Sequence, residues 1–476
     1  MLKNLLLSIS LLLLSQHSQA QCDFKTGQFV EELSNPIFVK AIDIQIPKSA
    51  KWEKNFLKIV QSKNLNIPPS LKKSFFANIV VTYSFGKCIY EGEVKQNGDS
   101  KDHVNLIDGK PIRSVNIKLK SGNILNSIKF KLLIPETRND LKEVFAVSLL
   151  SALDFIVPET FKVLVNLNGT KTEMLFQEAA RKELLERNNR REGPIFEGDE
   201  TLLWGDGHLH NNEDISLSRL VNSNWFLKGT NSASISLSSY QILQKAYMVR
   251  ANNIQTSGTY LDPNIFLYSY TPEDLIFPKF HFIMQSLGAE HGLNPHNRIF
   301  YFNSFQNSFE PIYYDGDIFN QNSTSFLQNI IERSYKDLNT VDYGLFISSS
   351  KIKESAQKKF KQRANLNNKE SEYLFQKYWD RFITNIERLN VAISKTEVFH
   401  KDLLLTNDGY IKFLKRASQN PMTDLLSTDI QISKDKKYIV DFLDASKTSL
   451  THNEVSKMIS RNLYDKRRAT LTTNEK

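Results

Sequence analysis

The feature that most constrains this chain is a period-two hydrophobic pattern running from Phe75 to Glu178, interrupted by one stretch of helical spacing. The segment ANIVVTYSFGKCIYEGEVKQNGD reads as strands broken at Gly86 and at Asn97-Gly98-Asp99. Val115, Ile117 and Leu119 then alternate with polar residues, and Ser121-Gly122-Asn123 makes a turn. In the next strand Ile128, Phe130 and Leu132 share one face, while Lys129 and Lys131 share the other. Leu141, Phe145, Leu149 and Leu153 switch to helical spacing, with Asn139 or Asp140 as N-cap and Pro158 as closure. FKVLVNLNG and KTEMLFQE follow as two strands joined at Asn168-Gly169, a dipeptide suited to a tight hairpin.

Beyond residue 181 the pattern is mainly helical. A charged helix, ARKELLERNNRRE, is predicted to start from Glu178 and end at Gly193-Pro194. The longest amphipathic run carries Leu374, Tyr378, Phe382, Ile386, Leu389 and Ile393. Between these, PHNRIFYFNSFQNSFEPIYYDGD breaks into two apolar strands around a polar turn. GYIKFLKR and KKYIVDFLD are strand-like, and the chain closes on a basic tail, Lys466-Arg467-Arg468. These patterns predict an α+β protein of two lobes, a β-rich N-lobe with one main helix and a larger, mainly helical C-lobe. The expected divisions are 1–20, 21–178, 179–400 and a C-terminal extension, 401–476.

The N-terminus reads as an export signal. Lys3 supplies a positive start, Leu5 to Leu14 an apolar run, and Ser18-Gln19-Ala20 small residues for cleavage before Gln21. That run is far shorter than the roughly twenty residues a bilayer crossing takes, although an uncleaved anchor is the alternative. No later segment is apolar enough to span a membrane, so the expected location is the periplasm, the cell surface or the exterior. Two cysteines, Cys22 and Cys88, in an oxidising compartment are expected to pair, fastening the new N-terminus to the strand around Cys88. A net charge of +9 suits phosphorylated or other anionic ligands. No helix-turn-helix, zinc finger or RNP-like aromatic run is present, which argues against a nucleic-acid partner. The sequence leaves the oligomeric state open.

A small β-rich lobe with one helix before a larger helical lobe is the layout of kinase-like folds. Such a site needs a lysine for the phosphates, a helix glutamate to orient it, an amide and an aspartate for magnesium, and a base. Several segments resemble the spore-coat protein H (CotH) family of atypical secretory kinases. They are QNGDS, NSIKFKLLIPETRNDLKEVF, LDFIVPETFKVLVNLNG, LFQEAARKELLERN and PHNRIFYF…PIYYDGD, spread over roughly residues 90–320.

The resemblance implies roles. Lys129 would reach the phosphates, with Lys131 as the same-face alternative, and Glu143 would pair with that lysine. Glu178 would lie near the adenine. Asn297 and Asp315 would hold Mg (or Mn), with Asp317 a second ligand or a turn former. ATP would donate its γ-phosphate to hydroxyls, Ser or Thr, of an exported protein; a glycan or small-molecule acceptor is an alternative. One departure stands out. Related kinases carry an aspartate base five residues before the metal-binding asparagine, and here that position is Gly292. Glu290 or His291 are the candidate substitutes, and a catalytically silent envelope binding or assembly protein on the same fold is the competing reading.

Other chemistries find less support. No His-Glu-x-x-His accompanies His291 and His296, and neither Gly-x-Ser-x-Gly nor a Walker phosphate loop occurs. Asp206, His208 and His210 in WGDGHLH could hold a metal, but read more simply as a polar loop.

Overall fold

The computed structural model describes residues 21–24, 30–62, 67–98, 100–107, 109–199, 216–252, 275–319, 338–395 and, apart from 434, 436 and 443–445, residues 427–460. The expected export signal, the WGDGHLH segment, GYIKFLKR and the basic tail lie outside them. The chain divides into two compact units. The first comprises Met1–Phe145, Glu159–Ala179 and Gln357–Leu374, the second Ala146–Pro158, Ala180–Ala356 and Phe375–Lys476.

The first unit is built on strands β1 (Gln21–Phe24), β2 (Val39–Gln45), β3 (Phe75–Tyr83), β4 (Gly86–Gln96), β5 (Val104–Ile107), β6 (Lys110–Arg113), β7 (Val115–Leu119), β8 (Lys129–Leu133), β9 (Thr160–Leu167) and β10 (Thr170–Glu178). Eight of them form one sheet, ordered β1-β4-β3-β2-β9-β10-β8-β7, and β4 also pairs with β7. That last pairing closes seven strands, β4 to β7, into a barrel. Every pairing in it is antiparallel except β2 with β9. The alternation seen in the sequence fills the interior: Ile79, Ile117, Phe130, Val163 and Phe176 are fully or almost fully buried. Phe176 stacks between Phe130 and Phe161, with ring centroids 4.6 and 4.7 Å away. Closure pairs most of the edges that would otherwise template aggregation, and β1 takes the rest of β4.

Asn168 and Gly169 both take positive φ, 48° and 90°, as a two-residue mirror-image turn requires. Cys22 sits opposite Cys88 in the β1–β4 register, and the two are joined in a disulfide, as expected.

Helix α1 (Ser49–Gln61) was not foreseen, so the first unit has more than one main helix. It buries Trp52 and Phe56, and the Arg113 guanidinium lies 4.1 and 4.6 Å from their ring centroids. Burial pushes the Arg113 pKa down to about 10. Helix α2 (Leu141–Ala152) matches the predicted helix and is apolar almost all round.

In the second unit, helix α3 (Lys182–Arg187) is a single short helix. Glu178 does not start it: that residue ends β10. The described part of this region is mainly helical, as expected, but its two predicted strands belong to a larger sheet. Strands β11 (Ile195–Asp199), β12 (Leu217–Leu220), β13 (Ile299–Asn303) and β14 (Ser308–Ile312) form an antiparallel sheet ordered β12-β11-β13-β14. Both of its faces are buried. Phe196, Phe300 and Phe309 face one core; Ile195, Ile299 and Ile312 face another. The first core is shared by helix α4 (Thr230–Asn252) and by the terminal elements β15 (Ser427–Ile432), β16 (Tyr438–Phe442) and β17 (Lys447–Leu450). Helix α5 (Ile276–Ser286) is buried from Phe277 onward. After α6 (Thr340–Ile347) and α7 (Ser350–Arg363), helix α8 (Asn368–Lys395) carries the long predicted stripe. Its first turns bury Phe375 and Trp379 rather than Leu374 and Tyr378, before Phe382, Ile386 and Leu389 continue as predicted. Helix α9 (His452–Ile459) opens with a capping box between Thr451 and Glu454.

Candidate functional site

In the first unit, Lys129 and Lys131 are half-buried on β8, alternating with the inward-facing Phe130 and Leu132. The period-two reading placed them correctly on one face. Lys131 is the direct cross-strand partner of Gln177 on β10 and of Asn116 on β7. Gln177, 1% exposed, donates from Nε2 to Glu143 Oε1 at 3.3 Å. The predicted helix glutamate is therefore buried against the ladder step that carries Lys131. Lys129 lies opposite Lys118, and its carbonyl accepts the Ala179 N–H at 3.1 Å. Register thus brings Lys131, the alternative of the two, beside the Glu143 contact.

Glu178 is also buried, and its Oε2 accepts the Glu159 N–H at 3.0 Å. Glu159 in turn holds Arg363 through two bonds, Nε to Oε1 at 2.7 Å and Nη2 to Oε2 at 3.0 Å. With both partners at least nine-tenths buried, this bidentate pair is costly to break from one side only.

In the second unit, two segments that lie apart in sequence meet. Helix α5 gives way to single 3₁₀ turns at Glu290–Leu293 and Pro295–Asn297, which lead into β13. Strand β14 ends at Ile312, and Tyr313 N–H bonds Ile156 carbonyl oxygen at 2.9 Å, which fixes where the chain leaves the sheet. Asp315, Asp317 and Phe319 then adopt left-handed backbone, with φ of 48°, 48° and 60°. Aspartate tolerates this region and phenylalanine seldom does, so the turn is held by its surroundings.

Within this cluster Asp315 Oδ2 lies 3.6 Å from His291 Nε2. Asn297 is buried, and its Nδ2 donates to the His291 carbonyl at 3.0 Å, which leaves its Oδ1 as the acceptor. Glu290 and Asp317 are half-buried at the two ends, and the His291 ring is half-exposed. The structure therefore brings His291, Asn297 and Asp315 together, with Glu290 and Asp317 within two residues of them along the chain.

Gly292 explains the departure from the kinase pattern. A Cβ there would stand 2.8 Å from the Tyr314 carbonyl oxygen, 2.8 Å from Met284 Cε and 3.2 Å from Gly316 Cα. No aspartate fits at that position while the 290–297 turns rest on the Tyr314–Gly316 backbone.

The donor set suits a hard divalent ion. Mg²⁺ is commonly held by one or two carboxylates, with substrate phosphates and waters completing its octahedron. Asp315 offers a carboxylate, Asn297 an amide oxygen, and Asp317 a second carboxylate nearby. Among the described residues no group of three or more His, Cys, Asp or Glu side chains is arranged to hold a metal by itself. Such a site would need ligands from a bound phosphate.

Two residues of interest escaped the sequence reading. Gln177 was hidden as one polar residue at the end of an apolar strand. Arg298, beside Asn297, is 1% exposed, and its Nη1 lies 2.9 Å from His281 Nε2. Burial lowers the Arg298 pKa to about 10, and burial together with the arginine's charge holds His281 well below its ordinary range. The imidazole therefore accepts the arginine's hydrogen bond as a neutral ring. A charged residue immediately preceding the apolar run Ile299–Phe302 was the available signal.

No family model matches the chain, and no curated protein matches it. Among solved structures, a chain of the Shewanella oneidensis MR-1 toxin–antitoxin complex of HipA, HipB and operator DNA is similar at a TM-score of 0.31, with 11% identity over 74% of each chain. The comparisons leave the family open, and the case for function rests on the residues themselves.

Proposed function

We propose that this chain is an exported, kinase-like protein that binds Mg-ATP and transfers its γ-phosphate to hydroxyl groups, of serine or threonine, on exported proteins. The observation that carries this reading is the meeting of Asn297 and Asp315 around His291, a pair of hard oxygen donors on a turn that two separate segments hold in place. In this reading Asp315 and Asn297 hold the metal, and Asp317 assists. A lysine of β8 meets the phosphates under the influence of Glu143, and Glu178 stiffens the end of β10 near the base. Phosphoryl transfer depends mainly on positioning and charge stabilisation, so the missing aspartate does not by itself preclude turnover.

Gly292 favours a second reading, in which the protein binds nucleotide without transferring phosphate, because the usual base position is closed by packing. Radiolabelled ATP separates the two. The kinase reading expects label on the protein itself or on a casein-like acceptor, lost in Asp315→Ala and reduced in Glu290→Ala or His291→Ala. Mg-ATP that raises the melting temperature of wild type but not of Asp315→Ala, without label transfer, leaves the binding reading standing. No thermal response in wild type rejects both.

A further inference from the structure

Arg298 is a cation in an apolar place. It is 1% exposed at the entry to β13, beside the rings of Phe280 and Phe300, whose centroids lie 5.9 and 5.0 Å from its guanidinium carbon. Its Nη1 lies 2.9 Å from His281 Nε2 on α5, and no carboxylate among the described residues pairs with it. An arginine only donates, so Nε2 is the bare nitrogen of a neutral ring. Packing alone does not account for such a residue. A buried charge is costly, and apolar side chains of similar volume commonly replace buried charged groups without loss of stability.

What Arg298 has is a place in a clamp. Its N–H bonds the Pro295 carbonyl at 3.3 Å, closing the 3₁₀ turn that carries Asn297, and its carbonyl accepts the Gly198 N–H from β11 at 3.0 Å. The turn lies so close to β11 that a Cβ on Gly198 would stand 2.6 Å from His296 Cα. From α4, the buried Tyr247 donates its hydroxyl to the Pro295 carbonyl at 2.8 Å. Three elements therefore hold one turn, and the Arg298 side chain is the link to the third, α5. Asn297 Nδ2 meets the His291 carbonyl at 3.0 Å, so the direction of its Oδ1 follows the setting of this turn.

We infer that Arg298 is a positioning residue: anchored on neutral His281, it sets the Pro295–Asn297 turn and with it the amide oxygen that Asn297 offers to a metal. This rests on the nucleotide-binding reading and deepens it, by naming the buried pair that presents one of its ligands.

Hydrogen exchange of the full-length protein, read by mass spectrometry without any nucleotide, tests the clamp. In Arg298→Met and His281→Leu, peptides spanning 290–299 should exchange about tenfold faster, as expected from losing one hydrogen bond to a charged group. Peptides of β15–β17, which share a core with Phe300, should keep their wild-type rates. His281→Gln retains an acceptor and should restore slow exchange. A rise spread evenly over that core, or His281→Gln exchanging as fast as His281→Leu, overturns the inference. If Arg298→Met does not fold, the two His281 variants decide it in the same way. A second arm measures Mg-ATP affinity. It should fall about tenfold in His281→Leu, recover in His281→Gln and stay unchanged in Phe226→Leu, a control in the same core. Local exchange without any loss of affinity overturns the role at Asn297. A wild type that does not bind Mg-ATP rejects the nucleotide reading, and the exchange arm then still decides whether Arg298 holds the turn.

Discussion

The barrel and the turn cluster around Asp315 are specified in opposite ways. In the barrel, each strand declares its inward face by alternation, and the interior follows from that rule with Phe176 between Phe130 and Phe161. Around Asp315 no periodicity operates. Positions are set by close approaches, such as Gly292 against the Tyr314 carbonyl, and by backbone that turns left-handed at Asp315, Asp317 and Phe319. The barrel is thus robust to changes that preserve volume, whereas the cluster is sensitive to single atoms.

Four measurements press on that contrast. Phe176→Ala should cost about 4 kcal/mol in urea unfolding, the loss of a large buried ring and the cavity it leaves. A loss under about 1 kcal/mol would mean the stacked rings do not organise the interior. Gly292→Asp, which supplies the carboxylate that kinases carry, should destabilise by about 3 kcal/mol through overpacking in the same assay. If this variant is as stable as wild type, the account of why the position is glycine fails.

Asp315→Ala should itself lower the unliganded melting temperature, because alanine tolerates the left-handed backbone at this buried position less well than aspartate. It should abolish the stabilisation by Mg-ATP, which in wild type amounts to about 2.7 kcal/mol at a ligand concentration one hundred times Kd. The smallest effect concerns His281, whose folded-state pKa is depressed. Its contribution to stability is complete above the unfolded value near 6.5 and is lost as pH falls from there towards the folded value, at up to about 1.4 kcal/mol per pH unit. His281→Gln keeps an acceptor for Arg298 and should flatten that slope. A wild-type slope that persists in the variant assigns the acid sensitivity to other groups.

How much was legible follows the same division. The face shared by Lys129 and Lys131, helix α2, the Asn168-Gly169 hairpin and strands β13 and β14 were all readable, because each is encoded within a few neighbouring residues. Strand β2 has a similar alternation, but its register shifts between Val39 and Ala41, and its parallel pairing with β9 joins residues far apart in sequence. Neither property shows in a local window, so closure of the barrel was not readable either. Asp315, Asn297 and His291 were selected as candidates by resemblance, yet their meeting depends on two turns packing together. The pairing of Lys131 with Gln177 required the β8–β10 register, which no single strand contains. Helix α8 was placed one residue off at its start because Leu374-Phe375 and Tyr378-Trp379 offer two equally apolar stripes.

Strand β4 needs two partners on one flank: β7 takes Gly92–Gln96 and β1 takes Gly86–Ile89. Among the described residues, β1 therefore covers the part of this β4 flank that β7 does not take, and a covalent link at Cys22 keeps it seated. Under reducing conditions that link is released, and only the β1–β4 backbone ladder still covers Gly86–Ile89. Oxidation at this pair thus guards the exposed flank of the barrel as well as adding to fold stability.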